Sequence, residues 1–240
     1  MTWPVVRWDQ VRPISSIALR QADTEALTTF GIEPLQLMEV AGWQIARFVD
    51  AFTDGIRNKR VIVVAGSGNN GGDALVAARF LRQRGAIVSA SIVPSRDPTS
   101  LAGRHALTAR RLGIPILGAP QGIVPSADVL IDGLFGTGIH LPLRDPAPAI
   151  IEAMNGTGRP IVAIDVPSGM DADTGTGVET AVRAEATVTL VAPKAGLAGA
   201  SSAGRVFVAD IGMPVALFGA DQEAMATLYS VGDLVELIAP

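Results

Sequence analysis

Four short stretches of the chain gather oxygen-bearing side chains beside glycines. Gly66-Ser67-Gly68-Asn69-Asn70-Gly71-Gly72-Asp73 places two amides and a carboxylate within five positions. Asp132 opens Asp132-Gly133-Leu134-Phe135-Gly136-Thr137-Gly138, Asp165 opens Asp165-Val166-Pro167-Ser168-Gly169, and Lys194 stands in Pro193-Lys194-Ala195-Gly196. Backbone N–H groups of a glycine-rich turn at a helix start converge on anions. Carboxylates and a lysine add proton transfer and charge balance. Each residue alone also has a plain structural use: Asn70 caps a turn, Asp73 suits a first helical turn, and an aspartate leaving a strand caps a loop. The functional signal is the convergence of several.

Gly66, Gly68 and Gly71 satisfy G-x-G-x-x-G after a strand and before a helix, the context of a dinucleotide fingerprint. The acid that would hold the ribose at the end of the next strand is missing. That strand ends Ser91-Ile92-Val93-Pro94-Ser95, and the first acid after it is Asp97. A nicotinamide-dependent oxidoreductase therefore has half its signature. A phosphate-binding P-loop is excluded, because no Gly-Lys-Ser/Thr follows the glycines.

The elements that must position these residues read as alternating strands and helices. Val61–Ala65, Ile87–Val93, Val129–Ile131, Ile161–Ile164, Thr187–Val191 and Val206–Ala209 are short, β-branched and nearly continuous in hydrophobicity, as strands buried on both faces are. Segments of helical length lie between them at Gly72–Arg84, Ser100–Leu112 and Pro146–Met154. Upstream, Met38, Ala41, Ile45, Val49 and Phe52 form the stripe of a helix over Leu35–Phe52, preceded by a shorter one over Ala22–Thr29 that ends near Gly31. Pro120–Ser126 and Asp171–Gly177 read as loops. The pattern predicts a single α/β domain over 1–240, a three-layer α/β/α sandwich around a mostly parallel, doubly wound sheet. A helical N-terminal segment occupies about 15–55, the α/β core about 58–214 and a C-terminal extension 215–240. Ligands of such sheets bind outside the carboxyl ends of the strands, where the four stretches fall.

If the strands ending at Asp132 and Asp165 are neighbours, a spacing of ~4.8 Å makes the two carboxylates repel by ~3 kcal/mol at an effective dielectric near 20. Either one carboxyl is protonated or a cation sits beside one of them. One carboxylate among neutral oxygens suits a monovalent ion better than magnesium, which makes Asn70, Asp132 and Ser168 candidate ion ligands and leaves Asp165 for proton chemistry. Lys194 follows a strand and could reach the same rim. Of the two histidines, His105 falls on a polar helical stretch and reads as structural, whereas His140 lies in a candidate binding loop.

Composition sets the outer bounds. With 240 residues, 48% hydrophobic and 18% charged, the chain can bury a full core. A net charge of -4 offers no positive field for nucleic acid. The absence of cysteine removes disulfides, thiolate catalysis and zinc-thiolate sites, and fits a reducing compartment. With neither an apolar run of ~18 residues nor a signal-like start, a soluble cytoplasmic protein is the expectation.

Taken together these segments resemble the YjeF N-terminal domain family of NAD(P)H-hydrate epimerases. The resemblance rests on Leu37-Met38-Glu39 with Ala41-Gly42, Gly66 to Asp73, Asp132 to Gly138, Asp165 to Gly169 with Asp171, Thr174 and Gly175, and Pro193-Lys194 with Gly196. They run in family order from about Ile17 to Pro214. The chain departs at Val40, where the family usually has Asn, and at Ala74, where it usually has Gly. The resemblance implies a Rossmann-like fold, commonly dimeric, and a potassium ion on Asn70, Asp132 and Ser168. It also implies a hydrated nicotinamide nucleotide, NADHX or NADPHX, on Asn69, Asn70, Gly71, Gly72 and Asp73, on Gly136, Thr137, Gly138, Ile139, His140, Leu141 and Pro142, and on Asp165. Catalysis at Asp165 with Lys194 is expected, joined by a separate or fused NAD(P)HX dehydratase. The substrate carries a hydroxyl at C6 of the nicotinamide ring, next to the ring nitrogen. Epimerisation there can proceed through loss of water to a flat iminium or through ring opening. The rival readings are a non-catalytic nucleotide-binding scaffold and the oxidoreductase.

Overall fold

The computed structural model describes residues 3–139 and 141–239. Among these residues nine strands form one sheet: β1 (Val5–Arg7), β2 (Arg60–Ala65), β3 (Ile87–Ile92), β4 (Ile116–Leu117), β5 (Val129–Gly133), β6 (Ile161–Ile164), β7 (Ala186–Leu190), β8 (Arg205–Ala209) and β9 (Leu234–Ile238). Their spatial order is β1-β9-β8-β7-β6-β5-β2-β3-β4. All neighbours pair in parallel except β8 and β9. Among the described residues six α-helices accompany the sheet: α1 (Ser16–Phe30), α2 (Pro34–Phe52), α3 (Asn69–Gln83), α4 (Leu101–Arg111), α5 (Ala147–Gly156) and α6 (Gln222–Val231). This is the mostly parallel α/β architecture expected from the apolar runs.

The continuous hydrophobicity of the strands has the predicted cause. Val61, Val63, Val129 and Ile131 face the core built with α1 to α4, while Ile62, Val64 and Leu130 alternate onto the opposite core around Ile150, Ile151 and Met154 of α5. A strand buried on both faces has no polar side to show.

From β2 the chain proceeds outward to β3 and β4, then returns to place β5 on the other side of β2. The switch point between β2 and β5 opens a crevice at the carboxyl ends of the strands. Three differences from the sequence reading bear on it. Helix α3 begins at Asn69, after Gly68, three residues earlier than expected, so both asparagines belong to its first turn. Helix α1 begins at Ser16, capped by Ser15, whose hydroxyl accepts from the Ala18 N–H at 3.2 Å, and ends at Gly31 with φ 67°. The segment 215–239 supplies α6 and β9, which extend the sheet at β8.

Close approach fixes α2 against α3. A Cβ on Gly42 would meet Val76 Cγ1 at 2.3 Å, and Glu39 pairs with Arg79 across the helices. Helix α1 is tied to the far side of the crevice: the Ser16 N–H and hydroxyl donate to Asp173 at 2.8 and 2.7 Å, and the Ile14 N–H donates to the Pro193 carbonyl at 2.9 Å. Asp171 organises that anchor, with Oδ1 accepting from the Asp173 and Thr174 N–H groups at 3.0 and 2.8 Å.

Candidate active site

A cavity of about 530 Å³ lies outside the carboxyl ends of β2, β5, β6 and β7. The first turn of α3 forms one wall, Gly136, Thr137 and Gly138 another, and Asp165 with Lys194 a third. Leu19 and Asp23 of α1 and Leu37 and Met38 of α2 complete it.

Asp165 sits where β6 stops and turns. Its φ of 70° and a hydrogen bond from the Val166 N–H to the Ile164 carbonyl at 2.9 Å make a tight γ-turn. Val191 does the same beyond β7, with φ 67° and the Ala192 N–H bonded to the Leu190 carbonyl at 2.8 Å. Such conformations cost non-glycine residues ~1–3 kcal/mol each and persist where surrounding contacts over-determine them. Here they do: the Val191 N–H donates to Ala209 at 3.0 Å, and the Tyr229 hydroxyl donates to the Val191 carbonyl at 2.7 Å.

These turns aim Asp165 at Lys194, whose side chain is 1% exposed. The ammonium donates to Asp165 Oδ1, to Thr189 Oγ1 at 2.8 Å and to the Leu190 carbonyl at 2.7 Å, so all three N–H bonds are used. Asp165 Oδ2 accepts from the Thr137 N–H at 3.2 Å. Strands β5 and β6 are neighbours, with Asp132 in register with Ala163, two residues before Asp165, and the cation beside one of the two carboxylates is the Lys194 ammonium on Asp165.

Asp132 is fully buried and turned toward the loop after β6. Ser168 donates to it twice, from its N–H to Oδ2 at 2.8 Å and from its hydroxyl to Oδ1 at 2.6 Å, and the Leu134 N–H adds a bond at 3.1 Å. Burial pushes its carboxyl up to about 6 against the pull of these donors. Asn70 bridges the same loops, donating to the Phe135 carbonyl at 2.8 Å and the Ile164 carbonyl at 3.2 Å. The three expected ion ligands thus lie in one network of amide, hydroxyl, carboxylate and carbonyl oxygens. Among the described residues no lysine or arginine pairs with Asp132. A buried carboxylate without a cation, among neutral oxygens, fits a monovalent ion. No cluster of three or more His, Cys, Asp or Glu with metal-binding geometry occurs among the described residues.

Not every predicted contact reaches the cavity. Asn69, Asn70 and Asp73 line it, whereas Gly71 and Gly72 lie behind them: a Cβ on Gly71 would meet the Gly66 carbonyl at 1.9 Å, and one on Gly72 the Met38 side chain at 2.6 Å. Both let the α3 turn pack closely. Gly136, Thr137 and Gly138 line it; Ile139 does not, and Leu141 and Pro142 line a separate cavity of about 650 Å³ beside α5. His140 lies outside the described residues. His105 is buried on α4, away from the cavity, and burial lowers its imidazole from the ordinary value. Val40 is 39% exposed on α2 and absent from the lining, and Ala74 is buried beneath β5, so neither departure alters the wall. Asp23 was missed. It lies on the edge of a helix read from Ala22 onward, and only the anchoring of α1 to Asp173 and Pro193 brings it to the crevice. Partial burial and the charge of Asp165 raise its carboxyl, opposed by Lys194.

The family model described as "YjeF-related protein N-terminus" matches residues 34–196. The chain belongs to that family. Its match runs from the start of α2 through Lys194 and so contains the cavity lining apart from α1 and Ile211. An NAD(P)H-hydrate epimerase of Rhodopirellula baltica is 34% identical over 218 residues, covering 87% of each chain. A bifunctional NAD(P)H-hydrate repair enzyme of Salinibacter ruber is 36% identical over 217 residues, and this chain spans 40% of its length. The crystal structure of yeast YNL200c shares the family fold, with a TM-score of 0.74 at 27% identity over 83% of this chain and 88% of that one.

Proposed function

We propose that the cavity binds the hydrated nicotinamide nucleotides NADHX and NADPHX and interconverts their R and S epimers at C6, a repair reaction. The observation that carries this reading is the buried Lys194–Asp165 pair facing the first turn of α3 across one cavity. The N–H groups of that turn suit the anionic part of a nucleotide. Asp165 supplies fixed negative charge where the nicotinamide nitrogen becomes positive as a C6 substituent leaves. Lys194 holds that carboxylate in place. A neighbouring epimerase at 34% identity over nearly the full length of both chains supports the same assignment.

Asn70, Asp132 and Ser168 would hold a potassium ion. Bound there, the ion supplies the positive charge that no lysine or arginine among the described residues gives the buried Asp132. The protein works as a homodimer in the cytoplasm in this reading, in keeping with its family and its cysteine-free chain. A separate or fused dehydratase acts on one of the two epimers. No described helix is long and apolar enough to cross a membrane.

Crystals soaked with NADPHX and potassium chloride test the assignment. The nicotinamide ring is expected against Asp165 with the phosphates at Asn69 and Asn70. A nucleotide bound only in the cavity beside α5 would contradict it.

A further inference from the structure

The wall contributed by α3 carries a carboxyl to which the epimerase reading gives no chemical step. Asp73 is 7% exposed and lines the cavity, and among the described residues its carboxyl has neither a hydrogen-bond donor nor a cationic partner. Asp165 differs in each respect: Oδ1 accepts from Lys194 and, at 3.4 Å, from the Leu190 N–H, and Oδ2 from Thr137. A carboxylate filled by donors is held as an acceptor, whereas a buried one without donors is held as an acid with its proton toward the ligand. Two carboxyls whose surroundings differ in this way divide acid and counter-charge roles.

The charged groups facing Asp73 sharpen the contrast. Asp165 and Asp23 contribute negative charge, and Lys194 is committed to Asp165. Arg20 of α1 lines the same cavity. Glu39 of α2 is turned to Arg79, and neither it nor His105 of α4 lines the cavity. Burial first, then the charges of Asp165 and Asp23, raise the Asp73 carboxyl well above the usual carboxylate range.

Resting on the epimerase reading, we propose that Asp73 is the acid that protonates the departing C6 hydroxyl, and that Asp165 remains the counter-charge. The Asp73 proton passes to the hydroxyl oxygen, the C6–O bond breaks with its electron pair on that oxygen, and water leaves. The ring nitrogen lone pair forms the C6=N bond of a flat iminium balanced by Asp165. Water adds to the opposite face, its electron pair forming the new C6–O bond, and its surplus proton returns to Asp73. The step selects water loss over ring opening.

The test compares wild type, Asp73→Asn, Asp73→Glu and Asp165→Asn as full chains in potassium chloride, following epimer exchange by chiral chromatography in ¹⁸O-water across pH. Asp73→Asn is expected to lose on the order of 10²–10⁴-fold in rate, while Asp73→Glu keeps a measurable part of it. The wild-type rate falls on an alkaline limb that is absent from the residual rate of Asp73→Asn, and each epimerisation places one ¹⁸O at C6. Infrared difference spectra between wild type and Asp73→Asn show a protonated carboxyl at neutral pH in wild type only. Asp73→Asn within threefold of wild type, epimer formed without label, or no protonated carboxyl each overturns the inference while wild-type turnover keeps the epimerase reading. A wild type without turnover overturns both.

Discussion

Lys194 and Asp165 are 29 residues apart in sequence and in direct contact, the lysine ammonium held among Asp165, Thr189 and the Leu190 carbonyl. The contact exists because β6 and β7 are neighbours and each ends in a γ-turn of positive φ. Burying this pair costs both ions their hydration, so its stability rests on completeness: removing one partner strands the other.

Lys194→Met is accordingly expected to lower stability by about 3–5 kcal/mol, read from urea denaturation. Adding Asp165→Asn to it removes the stranded charge and recovers a large part of the loss. Additive losses in the double variant would show that the two residues do not act as a pair.

Asp73→Asn has the opposite sign. The folded carboxyl is raised by burial and by Asp165 and Asp23, so the native state holds a proton that the unfolded chain releases above the ordinary carboxylate range. Wild-type stability therefore falls as pH rises from that range through the raised native value. Asp73→Asn carries no such proton, and denaturation midpoints across pH are expected to show it more stable than wild type on the alkaline side and similar on the acid side.

Gly136→Ala separates folding from binding. The added Cβ would stand 2.9 Å from Asp165 Oδ2 and 3.4 Å from Asn70 Cγ, crowding the polar groups of the cavity. Gly136 does not have a positive φ, so the substitution brings no backbone strain of that kind. The thermal midpoint is expected to fall by no more than a few degrees while epimerisation falls by tenfold or more.

Potassium is expected to stabilise the protein through Asn70, Asp132 and Ser168. At a hundred times its dissociation constant, a ligand specific for the native state adds about 2.7 kcal/mol, several degrees in the midpoint of a chain this size. Lithium is expected to do less at equal ionic strength. Ser168→Ala removes a hydroxyl that donates to Asp132 at 2.6 Å, and is expected to abolish the difference between the ions.

The sequence showed most of the sheet because its strands are buried on both faces and carry their own signal, as in Val61–Ala65 and Ile161–Ile164. β1 and β4 are only three and two residues long, too short for any periodicity. β9 pairs antiparallel with β8 and completes the sheet from a segment read only as an extension. Asn70, Asp132, Asp165 and Ser168 were legible because each falls in a glycine-bearing stretch that ends or follows a strand. Asp23 had no such local mark, and no local pattern reveals that Lys194 lies buried against Asp165. Gly71 and Gly72 are also required by packing, since an added Cβ would meet Gly66 or Met38.

The most direct measurement is the rate at which a sample enriched in one NADHX epimer relaxes to the equilibrium mixture, followed by chiral chromatography with and without catalytic amounts of the protein in potassium chloride. The account predicts rapid relaxation with the wild-type chain and loss of that acceleration in Asp165→Ala. Relaxation no faster than in buffer alone, or an Asp165→Ala variant as fast as wild type, would contradict it.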